Sequence, residues 1–307
     1  MAQQRARIRE DGPPRNHFLA NLPAEDFQRL SPKLVFVDLP QGMLLSDPDE
    51  PIAYNYFPET GLISTNATTP AGESIEVGMI GREGFSGVAA LLGQPEMQHT
   101  VVMQTPGAGY RVRSSVLLEE LQQSTKLRTM VDNFLYVQMV TATQSVLCAR
   151  LHGLQQRLAR WLLTAQDRTG TDTLHFTQEF LAMMLGARRT TVTLIAGVLQ
   201  RQGLIQYQRG RVKILKRAEL EAASCDCYQI TKELYASLYR HPVRTAEVEV
   251  ETSGAVPATG GLAEKAGQAV GNGAGAGKSG HKALVGSAKS GNGRGAAAKR
   301  VSTSSKR

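Results

Sequence analysis

Phe176-Thr177-Gln178-Glu179 opens with a threonine suited to capping a helix, and Phe180, Leu181, Met184 and Leu185 then recur at helical spacing. Gly186 permits a sharp turn. A second helix is expected from near Arg188, with Val192, Ile195, Val198 and Leu199 on its inner side, which leaves Arg188, Arg189, Thr190 and Thr193 on its opening turn and outer face. The chemistry this allows is reading duplex DNA. An arginine can bond guanine bidentately in the major groove, and a threonine can meet phosphate or a thymine methyl. After Gly203-Leu204-Ile205, the stretch from Gln206 to Ile214 reads as a short hairpin with Arg209 and Arg211 on either side of Gly210, a basic wing.

The charge along the chain points to the same partner. Residues 1–149 carry a net charge of −5, 150–217 carry +9, 218–250 carry −3 and 251–307 carry +7, within a chain of 307 residues and net +8. Basic blocks on an otherwise acidic protein release condensed counterions when they meet a polyphosphate. The two blocks differ in kind. The second is a glycine-rich, low-complexity tail without apolar periodicity, whose few apolar side chains cannot offset the entropy of ordering it.

The elements that must position the helix pair lie upstream. Short β runs, Leu34–Val37, Ile52–Phe57, Gly61–Ser64, Ser74–Ile80 and Thr100–Met103, alternate with prolines and glycines, the pattern of an antiparallel barrel or sandwich. The period then becomes helical, first at Val116, Leu117 and Leu121, then through a long helix reaching about Arg150. Leu127, Met130, Phe134, Leu135 and Val137 exceed what one small barrel should need to cover, so this face is either ordinary core or a seam between two chains. Leu127, Met130, Phe134 and Val137 are the candidate dimer-interface residues. Gly153 allows a break, and Leu154, Leu158, Trp161 and Leu162 mark a further helix ending near Gly170.

Together, Phe18-Leu19-Ala20-Asn21-Leu22-Pro23, the turn Ile80-Gly81-Arg82-Glu83-Gly84-Phe85-Ser86-Gly87, the long helix and Thr177–Ile205 resemble the bacterial Crp/Fnr regulators, over roughly residues 18–228. The resemblance implies an α+β chain with an N-terminal antiparallel β-roll of the cyclic-nucleotide-binding type, a long dimerisation helix and a C-terminal winged helix-turn-helix. It divides the sequence into a flexible arm (1–16), a sensor domain (17–124), the dimerisation helix (125–151), the DNA-binding domain (152–228), an extension (229–250) and the basic tail (251–307). The partners it implies are double-stranded DNA with twofold symmetry and a second copy of the chain, with RNA polymerase as a further candidate. Arg189 and Thr190 match the family's base-contacting positions, with Thr193 and Leu194 a turn further on. Arg188, Thr191, Arg209 and Arg211 fall to phosphate. The family's Arg-Glu-x-x-x-Arg reading set becomes Arg189-Thr190-x-x-x-Leu194 here, so its operator does not carry over.

Departures from the family pattern bear on control. The effector-pocket candidates are Gly84, Phe85, Ser86 and Gly87 with Gln98, His99 and Thr100, but the phosphate loop lacks the family's glutamate and the later positions lack its arginine. No arginine lies between Arg82 and Arg111. Losing the cation opposite a buried phosphate removes most of its affinity, so control by cyclic AMP is not expected. The amino-terminal cysteine cluster of the oxygen-sensing branch is also missing, so no iron–sulfur cluster is expected there.

The remaining candidates for chemistry are few. Cys225-Asp226-Cys227 would need further ligands to hold a metal, and His99, His152 and His175 stand isolated in the sequence, so neither a metal nor another cofactor is expected. There is no phosphate-binding Walker loop or dinucleotide fingerprint, and an enzyme is the weakest class. Apolar runs stop short of a membrane span, the amino terminus lacks a secretory pattern, and three cysteines suit a reducing compartment, so a cytoplasmic protein is expected. The competing reading is a ligand- or protein-binding sensor whose winged helix serves protein contacts. Steep salt dependence of duplex binding separates the two.

Overall fold

A computed structural model describes residues 12–48 and 50–239. Most of the expected arm, the end of the 229–250 extension and the whole 251–307 tail lie outside the described residues. Upstream of the helix pair, seven strands form two antiparallel sheets: β1 (Val35–Leu39), β2 (Leu44–Ser46), β3 (Tyr54–Pro58), β4 (Leu62–Thr68), β5 (Ser74–Ile80), β6 (Thr100–Thr105) and β7 (Gly107–Arg113). Their orders are β1-β7-β3 and β2-β6-β4-β5. Alternation decides which side chains meet, and Val37, Leu39 and Tyr56 from the first sheet pack on Ile63, Ile80, Val101 and Met103 from the second. The expected α+β class with an antiparallel N-terminal region is what the chain adopts.

β2 and β7 are absent from the sequence reading, and β7 shows why. Gly107 and Gly109 interrupt its apolar pattern, yet glycine is what the site requires, because a Cβ on Gly109 would sit 2.3 Å from the Phe57 carbonyl oxygen.

Helices cover the first sheet. α1 (His17–Ala20), α2 (Ala24–Leu30), α3 (Val88–Leu91) and α4 (Ser114–Gln123) join α5 (Thr125–Leu151) around an aromatic core. α5 begins where the Ser124 hydroxyl accepts the Leu127 N–H at 3.1 Å and stops before Gly153. Phe85 lies face to face with Phe57 and with Phe134, each at a centroid distance of 5.0 Å, and meets Phe18 edge-on at 4.7 Å.

This core corrects the expected dimer seam. Leu127, Met130, Phe134 and Val137 are all buried inside their own chain, the first three in the aromatic core, and leave almost no surface for a partner. The surplus apolar face lies elsewhere on the same helix. Met139, Ala142, Val146 and Ala149 follow a 3-4 spacing, with Met139 60% and Val146 72% exposed.

α6 (Leu154–Thr169) runs from Gly153 to a left-handed cap at Gly170, and its Leu158, Trp161 and Leu162 enter a third cluster shared with Leu62 and Met79 of the β region. The Trp161 indole N–H donates to the Glu76 carboxylate at 2.9 Å, and the buried Arg168 forms an ion pair with Glu83 at 3.1 Å. β8 (Thr173–His175), α7 (Gln178–Leu185), α8 (Arg189–Arg201), β9 (Ile205–Gln208), β10 (Arg211–Ile214), α9 (Arg217–Ala223) and α10 (Cys227–Leu238) complete the described chain. α10 returns toward the aromatic core. Tyr235, Leu238 and Tyr239 pack against it, and the Tyr235 hydroxyl donates to Gln138 on α5 at 2.9 Å.

Candidate nucleic-acid interface

Local chemistry builds the helix pair in the order the sequence suggests. The Thr177 hydroxyl accepts the Phe180 N–H at 3.1 Å and caps α7. Gly186 closes it in the left-handed conformation, φ 57°. α8 then leaves at an angle of 105° to α7, within the range of helix-turn-helix pairs. Leu181, Met184, Leu185, Val192, Ala196 and Leu199 hold the pair together from inside, on Trp161 and Phe176. Phe176 also stacks on Phe180 at 5.3 Å, which fixes the strand that leads into α7.

What remains outside is the candidate reading surface. Arg188, Arg189, Thr190, Thr191, Thr193 and Leu194 are all exposed, and Leu194 is 70% exposed although it is a large aliphatic side chain. Arg188 stands at the N-cap, so the unpaired N–H groups and positive dipole end of a 13-residue helix lie beside two guanidinium groups. Such an end attracts phosphate.

The wing forms as expected. β8-β10-β9 is a three-stranded antiparallel sheet in which Arg211 pairs with Gln208, and Arg209 and Gly210, with φ 49° and 74°, make the tight turn between them. Arg209 is the only non-glycine residue at positive φ among the described residues, and it is exposed, as is Arg211. A cleft of about 370 Å³ between the start of α7, the start of α8 and the wing is lined by Gln178, Glu179, Arg189, Tyr207 and Arg209.

Two of these positions escaped the sequence reading. Gln178 accepts the Thr193 hydroxyl at 2.6 Å, a contact that orients both side chains, and Tyr207 sends its hydroxyl to the Phe176 carbonyl oxygen at 3.1 Å. Partial burial raises the Tyr207 pKa, and the charge of Arg189 draws it partly back. The signal for Gln178 lies in spacing across the turn, which one helix read alone does not reveal.

The effector-pocket candidates Gly84, Phe85 and Gly87 sit in close packing. Phe85 is completely buried between aromatic rings, a Cβ on Gly84 would fall 2.2 Å from the Phe134 ring, and one on Gly87 would press on the Asn55 amide at 2.8 Å and the Tyr54 carbonyl oxygen at 2.9 Å. The Asn55 amide spans Ser86 and Gly87, donating to both carbonyl oxygens at 3.0 and 2.9 Å. Gln98 is exposed and His99 and Thr100 half-buried at the start of β6. Glu83, next to the loop, is engaged by Arg168 and by the Gly81 N–H.

The histidine and cysteine expectations need a second correction. His152 is not isolated in space: it meets Cys148, Cys225 and Cys227.

A Crp-like helix-turn-helix domain matches residues 156–223. Solved structures of similar fold include FixK2 from Bradyrhizobium japonicum, with a TM-score of 0.54 and 15% identity over 62% of this chain and 98% of that one. A transcriptional regulator of the CRP family from Thermus thermophilus gives 0.52 and 22% over 61% and 96%. The c-di-GMP-responsive global regulator CLP of Xanthomonas campestris gives 0.50 and 17% over 62% and 99%. No curated protein matches the chain by sequence. The chain carries a Crp-like helix-turn-helix domain within the fold of the Crp/Fnr regulators. Among the described residues no single helix is long and apolar enough to cross a membrane.

Proposed function

We propose that this chain, with its Crp-like helix-turn-helix domain, is a cytoplasmic transcriptional regulator that binds a twofold-symmetric DNA site as a homodimer. The observation that carries this reading is the outward set from Arg188 to Leu194 on the opening turn of α8, with the arginine wing beside it. Arg189 and Thr190 contact base edges, and Thr193 and Leu194 extend the reading face, Leu194 offering apolar contact of the kind a thymine methyl accepts. Arg188, Thr191, Arg209 and Arg211 hold phosphate and set the register.

A second copy covers the exposed side of α5. Its exposed Met139 stands beside Ala142, Val146 and Ala149 of the same stripe, which line a groove of about 430 Å³ together with the exposed Ile75 and Val77 of β5 and with α6. That stripe has coiled-coil spacing and exposes large apolar side chains that water does not favour.

Cyclic nucleotides do not control this protein in the proposed reading. The 84–87 turn lies against a closed stack of Phe57, Phe85 and Phe134, and a cyclic phosphate placed there would find no free guanidinium in the turn. Isothermal calorimetry with cyclic AMP or cyclic GMP is expected to give no binding heat at micromolar concentrations.

Selection of bound fragments from a random duplex pool tests the main reading. It should return an inverted repeat whose half-sites lie about 10 base pairs apart, one helical turn, or a multiple of that. Recovery of unrelated sequences with uniform affinity would overturn it and leave the winged helix to protein contacts.

A further inference from the structure

We infer that Cys148, His152, Cys225 and Cys227 form a binding site for one zinc-class divalent metal ion. The four come from two distant stretches of sequence. Cys148 lies in the last turn of α5 and His152 is that helix's C-cap, so the i, i+4 spacing puts both on one side. Cys225 and Cys227 sit where the chain leaves α9 and enters α10. The packing of α10 along α5 brings one potential ligand atom from each residue to within 4.8 Å of the other three.

The distances fit a single ion. A tetrahedral centre with bonds of about 2.3 Å to sulfur and about 2.0 Å to nitrogen holds neighbouring ligand atoms roughly 3.5 to 3.8 Å apart. Here the Cys148 and Cys225 sulfurs are 3.5 Å apart, and the Cys227 sulfur is 3.4 Å from His152 Nδ1. An iron–sulfur cluster, which spreads its thiolates over several irons, needs a wider cage. The donor set is three sulfurs and one imidazole without a carboxylate, which favours zinc over the hard cations magnesium and calcium.

Burial and outer contacts agree with this. All three cysteines are buried and His152 is half-buried, so four protein ligands can close the shell and exclude water, as structural zinc sites do. The Gln144 amide donates to the Cys227 sulfur at 3.1 Å, the outer hydrogen bond a metal-bound thiolate accepts. Ordinary packing of small apolar thiols would require neither the imidazole nor the amide.

A metal held here ties the end of α5 to the start of α10 across the Gly153 joint that leads into the DNA-binding region. Because the ligands converge only in the folded chain, binding adds to folded-state stability. The inference does not depend on DNA reading and stands or falls separately.

The test uses the full chain, purified under reducing, oxygen-free conditions without chelator. Elemental analysis should find one zinc per chain, and exchange with cobalt(II) should give the intense visible bands of a tetrahedral thiolate site together with sulfur-to-metal charge transfer. Cys225→Ser and Cys227→Ser should each weaken zinc in competition with a chelating dye by more than about tenfold. His152→Ala, at a half-exposed position where folding is expected to persist, should weaken it likewise and shift the cobalt bands. Stripping the metal should lower the melting temperature of the wild-type chain and leave that of Cys227→Ser nearly unchanged. Absence of zinc together with absence of charge-transfer bands would overturn the inference. So would full zinc content and an unchanged cobalt spectrum in Cys227→Ser and His152→Ala.

Discussion

The two halves of α5 carry similar apolar side chains and face different surroundings. In the first half Leu127, Met130, Val131, Phe134 and Val137 are buried in their own chain, and Phe134 is stacked on Phe85 in the aromatic core. From Met139 to Leu151 the helix turns large side chains outward, and Val146 and Leu151 are 72% and 70% exposed. One helix thus closes a folded core along its first half and exposes an apolar face along its second. The comparison teaches that an apolar stripe reveals that something covers a helix, whereas the third dimension decides whether the cover is the same chain or another.

The largest expected effect breaks the first half. Phe134→Ala removes a fully buried ring that touches Phe18 and Phe85, and it should cost about 3 to 5 kcal/mol of stability, read by denaturant unfolding. Phe134→Glu should not fold at all, since it buries an unpaired charge. Met139→Glu with Val146→Glu probes the other half. This pair should change the unfolding midpoint little and yield folded monomers by light scattering, with weak binding to a single half-site. A dimer that survived both glutamates would move the seam off this face.

A smaller effect lies where the β region meets α6. Glu76 accepts the Trp161 indole N–H and the Ser64 hydroxyl, yet burial dominates and pushes its pKa from 4.5 up to about 7. The folded chain therefore keeps a proton that the unfolded chain has released between roughly pH 4.5 and 7. Stability should fall as pH rises through that window and remain lower above it. Glu76→Gln keeps a neutral acceptor for Trp161 and should flatten this dependence, gaining roughly 1 to 2 kcal/mol over wild type at pH 8 and little at pH 4. That is less than the whole shift would give, because the side chain retains some contact with solvent. Unfolding curves at the two pH values check it. An equal gain at both would assign the effect to packing. The smallest effect is Thr177→Ala, which deletes the α7 cap and should cost about 1 kcal/mol.

Much of this was legible in the sequence where a local rule and a tertiary need coincide. Thr177, Gly186 and the inward set Val192 and Leu199 obey capping, turn and periodicity rules that the fold leaves intact, and all the reading-surface residues proposed from spacing are exposed. Ser74–Ile80 alternates openly and forms a strand of those bounds. The failures share one cause. Phe85 in a glycine-rich turn looks like a loop residue beside a ligand, and only the approach of Phe57 and Phe134 makes it core. Cys148 and His152 lie more than 70 residues from Cys225 and Cys227, so no spacing rule could join them before α10 was known to return along α5. β7 hid behind its glycines for a similar reason, since the neighbour that forbids side chains there is a different strand.

The central claim is that α8's opening turn, rather than charge alone, selects DNA. Gel-shift titrations of wild type and Arg189→Ala, on the selected operator and on a scrambled duplex at several salt concentrations, test it most directly. Arg189→Ala is expected to lose about 1 to 3 kcal/mol on the operator and much less on the scrambled duplex, with the salt slope little changed. Equal losses on both duplexes would make Arg189 a phosphate contact and contradict the placement of sequence reading in Arg188–Leu194.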